Sequence, residues 1–354
     1  MNYRFLGRSG LEISQLGLGG IPFGTSVDES TARAFVDMYY DVGGNWIDTS
    51  NQYGGGSRNG SNHDSAGASE RTIGRILKGR RDQFVLATKG YWCMHNEAGP
   101  NRVGLSRTYL AQNIEGSLRR LQTDYIDLYQ CHSWDPYTPI EETLRVLDDF
   151  VTAGKIRYVG VSNFDGWHVV KSQQVARERG YCPIVTNQIW YNVADRGAEN
   201  SITSACRDQQ VTILAWGVLA EGFLTGEYRR GAAQPTATSK MWLAVDGEMW
   251  SWHSLAHERN WCVMDVASNI AQERGKTVPN IVSRWMLDSG SCDAMLVGAA
   301  SIEQLRENLE ILNFQLSAEE VQRLRIVSEP PKSYPRNFHD LFCRKDSPYY
   351  GGLR

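Results

Sequence analysis

The chain has 354 residues, 41% hydrophobic and 22% charged, with a formal net charge of -3. Such a composition can bury a full core, and a near-neutral balance with no basic block argues against nucleic acid or an anionic membrane surface as partner. No run approaches a membrane span or a leader-peptide core, and seven scattered cysteines without a CxxC pair read as reduced thiols of a cytoplasmic protein.

Residues 3–6 and 11–13 flank a Gly7-Arg8-Ser9-Gly10 turn and predict a β-hairpin ahead of the main fold. Leu16-Gly17-Leu18-Gly19-Gly20 reads as a first strand running into a glycine loop. Helical spacing follows over 28–42, with Asp28 or Ser30 as cap, and then a strand over 46–48. The alternation continues with helix 69–78, strand 84–88, helix 107–121, strand 126–131, helix 140–153 and strand 157–161. Helix 166–179, strand 184–187, helix 200–209, strand 211–215 and a last strand over 294–297 complete it.

Eight short apolar strands separated by amphipathic segments predict a parallel sheet closed into a (β/α)8 TIM barrel. An open doubly wound sheet is the rival, and the lack of a G-x-G-x-x-G after the first strand weighs against it. On this reading residues 1–330 form one domain. Residues 331–354 form a proline-bearing tail that either folds near the barrel mouth or hangs free. Long connections over 54–68 and 217–260 follow strands, and in such barrels these loops border the catalytic face.

Four side chains close strand patterns: Asp48, with Tyr53 just beyond it, Lys89 and His132. Carbonyl reduction by hydride transfer needs a proton donor and positive potential near the oxygen. A tyrosine supplies the proton, a lysine beside it favours its ionised form, and a carboxylate holds the lysine. A histidine orients the carbonyl oxygen. Taken singly, each residue has an ordinary explanation: a turn cap, a loop aromatic, a solvated charge, a packed interior histidine. All four at strand ends is a far less ordinary coincidence.

The motifs around them resemble the aldo-keto reductases over nearly the whole chain. Asp48-Thr49-Ser50-Asn51-Gln52-Tyr53-Gly54 resembles the family's D-T-A-x-x-Y-G, with Ser50 in place of Ala. Ser69-Glu70 with Ile73-Gly74, Ala87-Thr88-Lys89 and Gln130-Cys131-His132 resemble three further family motifs. Val161-Ser162-Asn163-Phe164 and Asn187-Gln188 with Tyr191-Asn192 add two more. The resemblance implies Asp48, Tyr53, Lys89 and His132 as the catalytic set.

It also implies a nicotinamide dinucleotide. Ser162, Asn163 and Gln188 would hold the carboxamide, Trp216 would stack on the ring, and Gly20 and Ile21 would approach its ribose. The segment 216–226 resembles a pyrophosphate-wrapping loop, with Gly217, Leu219 and Glu221 among its contacts. Here Gly217 and Val218 replace the family's Ser and Pro. Gly298, Ala300, Gln304, Glu307 and Asn308 fall on the adenosine motif. NADP(H) is the family default. Glu227 and Ala300 occupy positions where many relatives place Lys, Ser or Arg, and they keep NAD(H) in contention; Lys240 and Arg306 are the substitute cations.

Tyr91, Trp92, Trp134 and Tyr137 follow the lysine and histidine strands, and Trp242, Trp250 and Trp252 lie in the long seventh loop. Tyr91, Trp92 and Trp134 are the expected substrate wall, for a small carbonyl or alcohol compound. His253 and His257 have helical i, i+4 spacing without a third ligand, so they read as a surface pair and no metal is expected. Two alternatives stand beside carbonyl reduction. One is dehydrogenation of a sugar or cyclic alcohol. The other, of a different class, is a cofactor-bound binding module similar to potassium-channel β subunits.

Overall fold

A short antiparallel hairpin, β1 (Tyr3–Phe5) with β2 (Glu12–Ser14), precedes a set of alternating strands and helices. The strands are β3 (Leu16–Gly19), β4 (Trp46–Asp48), β5 (Val85–Gly90), β6 (Ile126–Cys131), β7 (Ile156–Ser162), β8 (Ile184–Trp190), β9 (Thr212–Trp216) and β10 (Ala294–Val297). They pair in parallel in chain order, and β10 closes onto β3 with Met295 opposite Leu16, completing a (β/α)8 TIM barrel. The computed structural model describes residues 1–54, 65–94, 99–235, 251–332 and 334–343.

The helices α1 (Glu29–Asp41), α2 (Ala68–Ile76), α3 (Arg107–Leu121), α4 (Ile140–Thr152), α5 (Gly166–Arg179) and α6 (Ile202–Asp208) connect successive strands. Their starts follow local chemistry. The Asp28 carboxylate accepts the Thr31 N–H at the head of α1, and Ser106 caps α3 in the same way. Between β9 and β10 come α7 (Trp252–Leu255), α8 (Glu258–Arg274) and α9 (Val278–Asp288), and α10 (Ile302–Leu309), α11 (Ala318–Val327) and α12 (Arg336–Phe342) follow β10. None of the described helices is long and apolar enough to cross a membrane.

Strand alternation divides the barrel interior into storeys. Side chains two residues apart share a face. Trp46, Ala87, Leu128, Val185, Leu214 and Ala294 form one buried cluster with Leu6 and Ile13, beside the hairpin. The hairpin thus plugs the end of the barrel where strands begin. Trp46 fills that plug so tightly that a Cβ on Gly17 would lie 2.2 Å from its ring. Two residues further along the same faces stand Asp48, Lys89, Gln130 and Trp216. The apolar lower storey therefore carries a polar upper one.

The structure lengthens several strands beyond the predicted ends. β5 runs to Gly90, β7 to Ser162 and β8 to Trp190. The added stretches include Lys89, Ser162 and Gln188, which are polar yet buried, so an apolar pattern stops before the strand does. The stretch predicted as a long connection over 217–260 contains a 3-10 turn (Ala220–Thr225), α7 and the start of α8. Lys240, Trp242 and Trp250 lie outside the described residues. His253 and His257 do not share a helix: α7 ends at Leu255, and Ala256 separates it from His257, the cap of α8.

Candidate active site

The β4 exit turns back at once. The Tyr53 N–H donates to the Ser50 carbonyl at 3.2 Å, and Gly54 follows with φ 97°. A Cβ on Gly54 would lie 2.5 Å from that of Ala68, so the turn requires glycine. The turn brings the Tyr53 hydroxyl over Lys89. The Lys89 Nζ donates to Asp48 Oδ1, to the Thr49 carbonyl at 2.8 Å and to the Tyr53 oxygen at 3.2 Å. Asp48 Oδ2 accepts from Gln188 Nε2 at 2.8 Å and from Gln130 Nε2 at 3.1 Å. Lys89 and Asp48 are each 1% exposed at the side chain, so the pair is a buried ion pair whose polar atoms are met.

His132 closes the group. Its ring meets Tyr53 edge-on with centroids 5.8 Å apart, and its Nδ1 lies 3.1 Å from the Ser50 hydroxyl. Desolvation, and then the Lys89 ammonium, hold His132 well below the ordinary histidine value, so the ring is neutral at neutral pH. Burial pushes the Tyr53 hydroxyl up; Lys89 pulls it down without reversing the shift, and Asp48 and Glu221 add to the rise. For Lys89, burial disfavours the ammonium and is the largest single influence, but Asp48 and Tyr53, through charge and hydrogen bonds, together outweigh it and raise the lysine overall. At neutral pH the resting set is therefore ammonium, neutral phenol and neutral imidazole.

The strands beside His132 carry the residues expected to face a nicotinamide. Ser162 Oγ donates to the Gln188 carbonyl at 2.8 Å. Asn163 sits in the left-handed region at φ 58°, which asparagine tolerates. Its Nδ2 donates to the His132 carbonyl at 3.0 Å and to Ser162 Oγ at 3.1 Å, while its Oδ1 accepts Trp216 Nε1 at 3.1 Å. A hydroxyl–amide pair beside a pinned, half-buried indole is a donor set that suits a carboxamide on a flat ring. Gln188 is turned toward Asp48, so it braces the ion pair.

Gly217 has a local cause for replacing Ser. It lies at φ 68°, and a Cβ there would come within 2.2 Å of the Trp190 ring. Leu219 is half-buried, and Ala220, Glu221 and Gly222 all take left-handed φ values of 47°, 56° and 91°. Gly20 donates its N–H to the Asp48 carbonyl at 2.8 Å, and Ile21 beside it is 57% exposed. Past β10, Gln304 Oε1 accepts the Ala300 N–H at 2.8 Å, and Asn308 Nδ2 donates to the Gly298 carbonyl at 2.9 Å. Those two side chains brace the 298–300 loop. Glu307 lines a surface cleft with Lys276, Asn280, Glu303 and Arg306.

The expected aromatic wall divides. Trp92 lies 6.4 Å from His132, ring to ring, with Tyr91 edge-on to it at 4.8 Å. Trp134 instead stacks on His168 of α5 at 4.0 Å and 11°, with Phe164 and Trp167 edge-on. Two residues were not anticipated as part of the site: Gln130, on Asp48, and Ser50, on His132. Gln130 had a signal available, since it lies two residues along β6 from interior Leu128. Cys131 points to the other face, is buried, and has its thiol pushed up to about 12 by burial. Among the described residues, no group of three or more His, Cys, Asp or Glu is placed to hold a metal ion.

Barrel and polar cluster together define the class, a (β/α)8 oxidoreductase. The chain belongs to the aldo/keto reductase family, which it matches over residues 15–329. It is 36% identical over 344 residues to the uncharacterized oxidoreductase YrpG of Bacillus subtilis, covering 94% of this chain and 99% of that one. It is 30% identical over 351 residues to norsolorinic acid reductase of Aspergillus flavus, covering 95% and 83%. It is also 30% identical over 319 residues to L-glyceraldehyde 3-phosphate reductase of Escherichia coli, covering 88% of each chain.

Proposed function

We propose that this chain is an NAD(P)-dependent reductase of aldehydes, ketones or sugars in which Tyr53 is the general acid. When bound, the dinucleotide supplies the hydride. The observation that carries the reading is the direction of the Lys89 hydrogen bonds. All three N–H groups of the ammonium are engaged, one of them on the Tyr53 oxygen. That oxygen therefore accepts from Lys89, and its own proton is free to pass to a carbonyl oxygen. As the proton leaves, the phenolate forms beside a fixed positive charge, which lowers the cost of ionisation in a half-buried site. Asp48 favours and anchors the ammonium, and Gln130 and Gln188 hold Asp48 in place by donating to it. His132 supplies a neutral contact to the same carbonyl oxygen, and Ser162, Asn163 and Trp216 would seat the nicotinamide.

Relatives named as reductases of norsolorinic acid and of L-glyceraldehyde 3-phosphate support reduction as the working direction. The exposed Glu227 and the neutral Ala300 favour NAD(H) as a competitor to the family's NADP(H). Comparing steady-state rates with the two cofactors decides between them.

Tyr53→Phe tests the proposal. Cofactor Kd stays within about twofold of the parent while kcat falls at least about 100-fold, the scale of a lost general acid. An unchanged kcat refutes Tyr53 as the acid. Tight cofactor binding by the parent chain without turnover of any carbonyl favours the binding-module reading.

A further inference from the structure

A neutral imidazole carries one proton on one of two nitrogens, and only a protonated Nε2 can donate to a carbonyl oxygen if Nδ1 faces the protein. Here Nδ1 faces Ser50, whose hydroxyl is fully buried and lies 3.1 Å away. Two arrangements satisfy that contact. In one, the Ser50 hydroxyl donates to a bare Nδ1 and the ring proton sits on Nε2. In the other, Nδ1–H donates to Ser50, and the hydroxyl proton must go elsewhere.

The surroundings favour the first. The other acceptors near the Ser50 hydroxyl are Asn51 Oδ1 at 3.2 Å and the Lys89 carbonyl at 3.4 Å, both longer than the imidazole contact. The Lys89 carbonyl already takes the Asn51 N–H at 2.9 Å. The Gln52 N–H approaches the Ser50 oxygen at 3.4 Å and offers one of its two lone pairs a long contact, so the oxygen has a donor other than the imidazole. His132 is held from behind as well: its N–H donates to the Gly90 carbonyl and its carbonyl accepts from Asn163.

We propose that Ser50 is a positioning residue for the reaction: its hydroxyl donates to His132 Nδ1 and so fixes the tautomer that presents Nε2–H to the substrate oxygen. The motif resembled by 48–54 has alanine at this position, so the device belongs to this chain's own sequence. The inference deepens the reductase reading and rests on it only for the kinetic consequence.

The test is ¹⁵N NMR of the histidine-labelled full chain at about pH 8, where a histidine even of ordinary pKa is neutral. The His132 signals are identified by their loss in His132→Gln. Expected are a bare Nδ1 and a protonated Nε2 in the parent, mixed tautomers in Ser50→Ala, and a restored single tautomer in Ser50→Thr. Ser50→Ala also lowers kcat about tenfold with little change in cofactor Kd, while Ser50→Thr recovers most of it. A protonated Nδ1 in the parent overturns the proposal without recourse to any variant. So does a tautomer unchanged in Ser50→Ala, or an unchanged kcat despite a shifted tautomer. The spectrum needs no turnover, so failure of the reductase reading, seen as an undiminished Tyr53→Phe, is distinguishable from failure of this one.

Discussion

Lys89 and Asp48 show how a side chain can serve chemistry and stability at once. Both are buried and meet each other's charge; Lys89 also donates to the Thr49 carbonyl and the Tyr53 oxygen, and Asp48 also accepts from Gln130 and Gln188. Removing one partner leaves an uncompensated buried charge, which costs about 3–5 kcal/mol. Lys89→Met is therefore expected to lose that much stability in urea denaturation, in addition to its activity. Asp48→Asn combined with Lys89→Met should recover a good part of it, because the stranded carboxylate is gone. A single mutant as stable as the parent would show that the pair contributes nothing to folding. The chain announced Asp48, Tyr53, Lys89 and His132 through their positions at strand ends. It did not announce that Gln188 braces the carboxylate, because an amide on an inward strand position can face a ligand or a neighbour equally well.

Among elements, the Ser69-Glu70-Gly74 motif of α2 has a structural job. Ser69 Oγ donates to the Gly20 carbonyl at 2.6 Å and meets Thr49 Oγ1 at 2.7 Å. Glu70 accepts from Thr88 at 2.6 Å and from Arg120 at 2.6 Å. Gly74 lets α2 press against the end of α3, where a Cβ would lie 2.6 Å from the Leu121 backbone. The motif thus ties the β3, β4 and β5 exits to the helices outside them, which keeps the Asp48 and Lys89 rims in register. Gly74→Ala gains about 1 kcal/mol of helix propensity. It loses more to overpacking against a backbone that cannot yield, typically about 1–3 kcal/mol. A lowered Tm is expected; a raised Tm would mean that α2 shifts freely. Trp134 teaches the converse. Its place after the histidine strand suggested a substrate wall, yet α5 offers it the flat ring of His168 and it stacks there.

At the level of the whole molecule, burial holds the hydroxyls of Tyr39, Tyr129 and Tyr191 above the ordinary tyrosine value. In the unfolded chain they lose their protons near about pH 10. In the folded chain they keep them to higher pH. Above about pH 10 the folded state therefore binds more protons than the unfolded one, and stability falls as pH rises. Below the ordinary tyrosine value the contribution is fully present and adds no slope. The thiols of Cys131, Cys182, Cys206 and Cys292 are held up by burial in the same way, so stability from urea unfolding between about pH 8 and about pH 11 should begin to fall near about pH 8.5 and fall more steeply above about pH 10, by up to about 1.4 kcal/mol per pH unit for each such group. A level profile throughout would contradict the burial assigned to these rings. The tail enters at this scale too. α12 reaches the loop before α6, where Arg336 donates to the Glu199 carbonyl, and it walls a cleft of about 800 Å³ with Arg207 and Ser291.

Taken alone, the amino-acid order determined the barrel and the four residues at its mouth, because period-two apolar runs, caps and strand-end polar residues are local features that need no partner to be recognised. Only the tertiary structure decided where the strands stop, which indole faces His132, what Gln130 and Gln188 donate to, and that Ser50 lies against Nδ1. Those outcomes depend on atoms from strands far apart in sequence meeting inside one closed sheet, and no local pattern carries the distance between them.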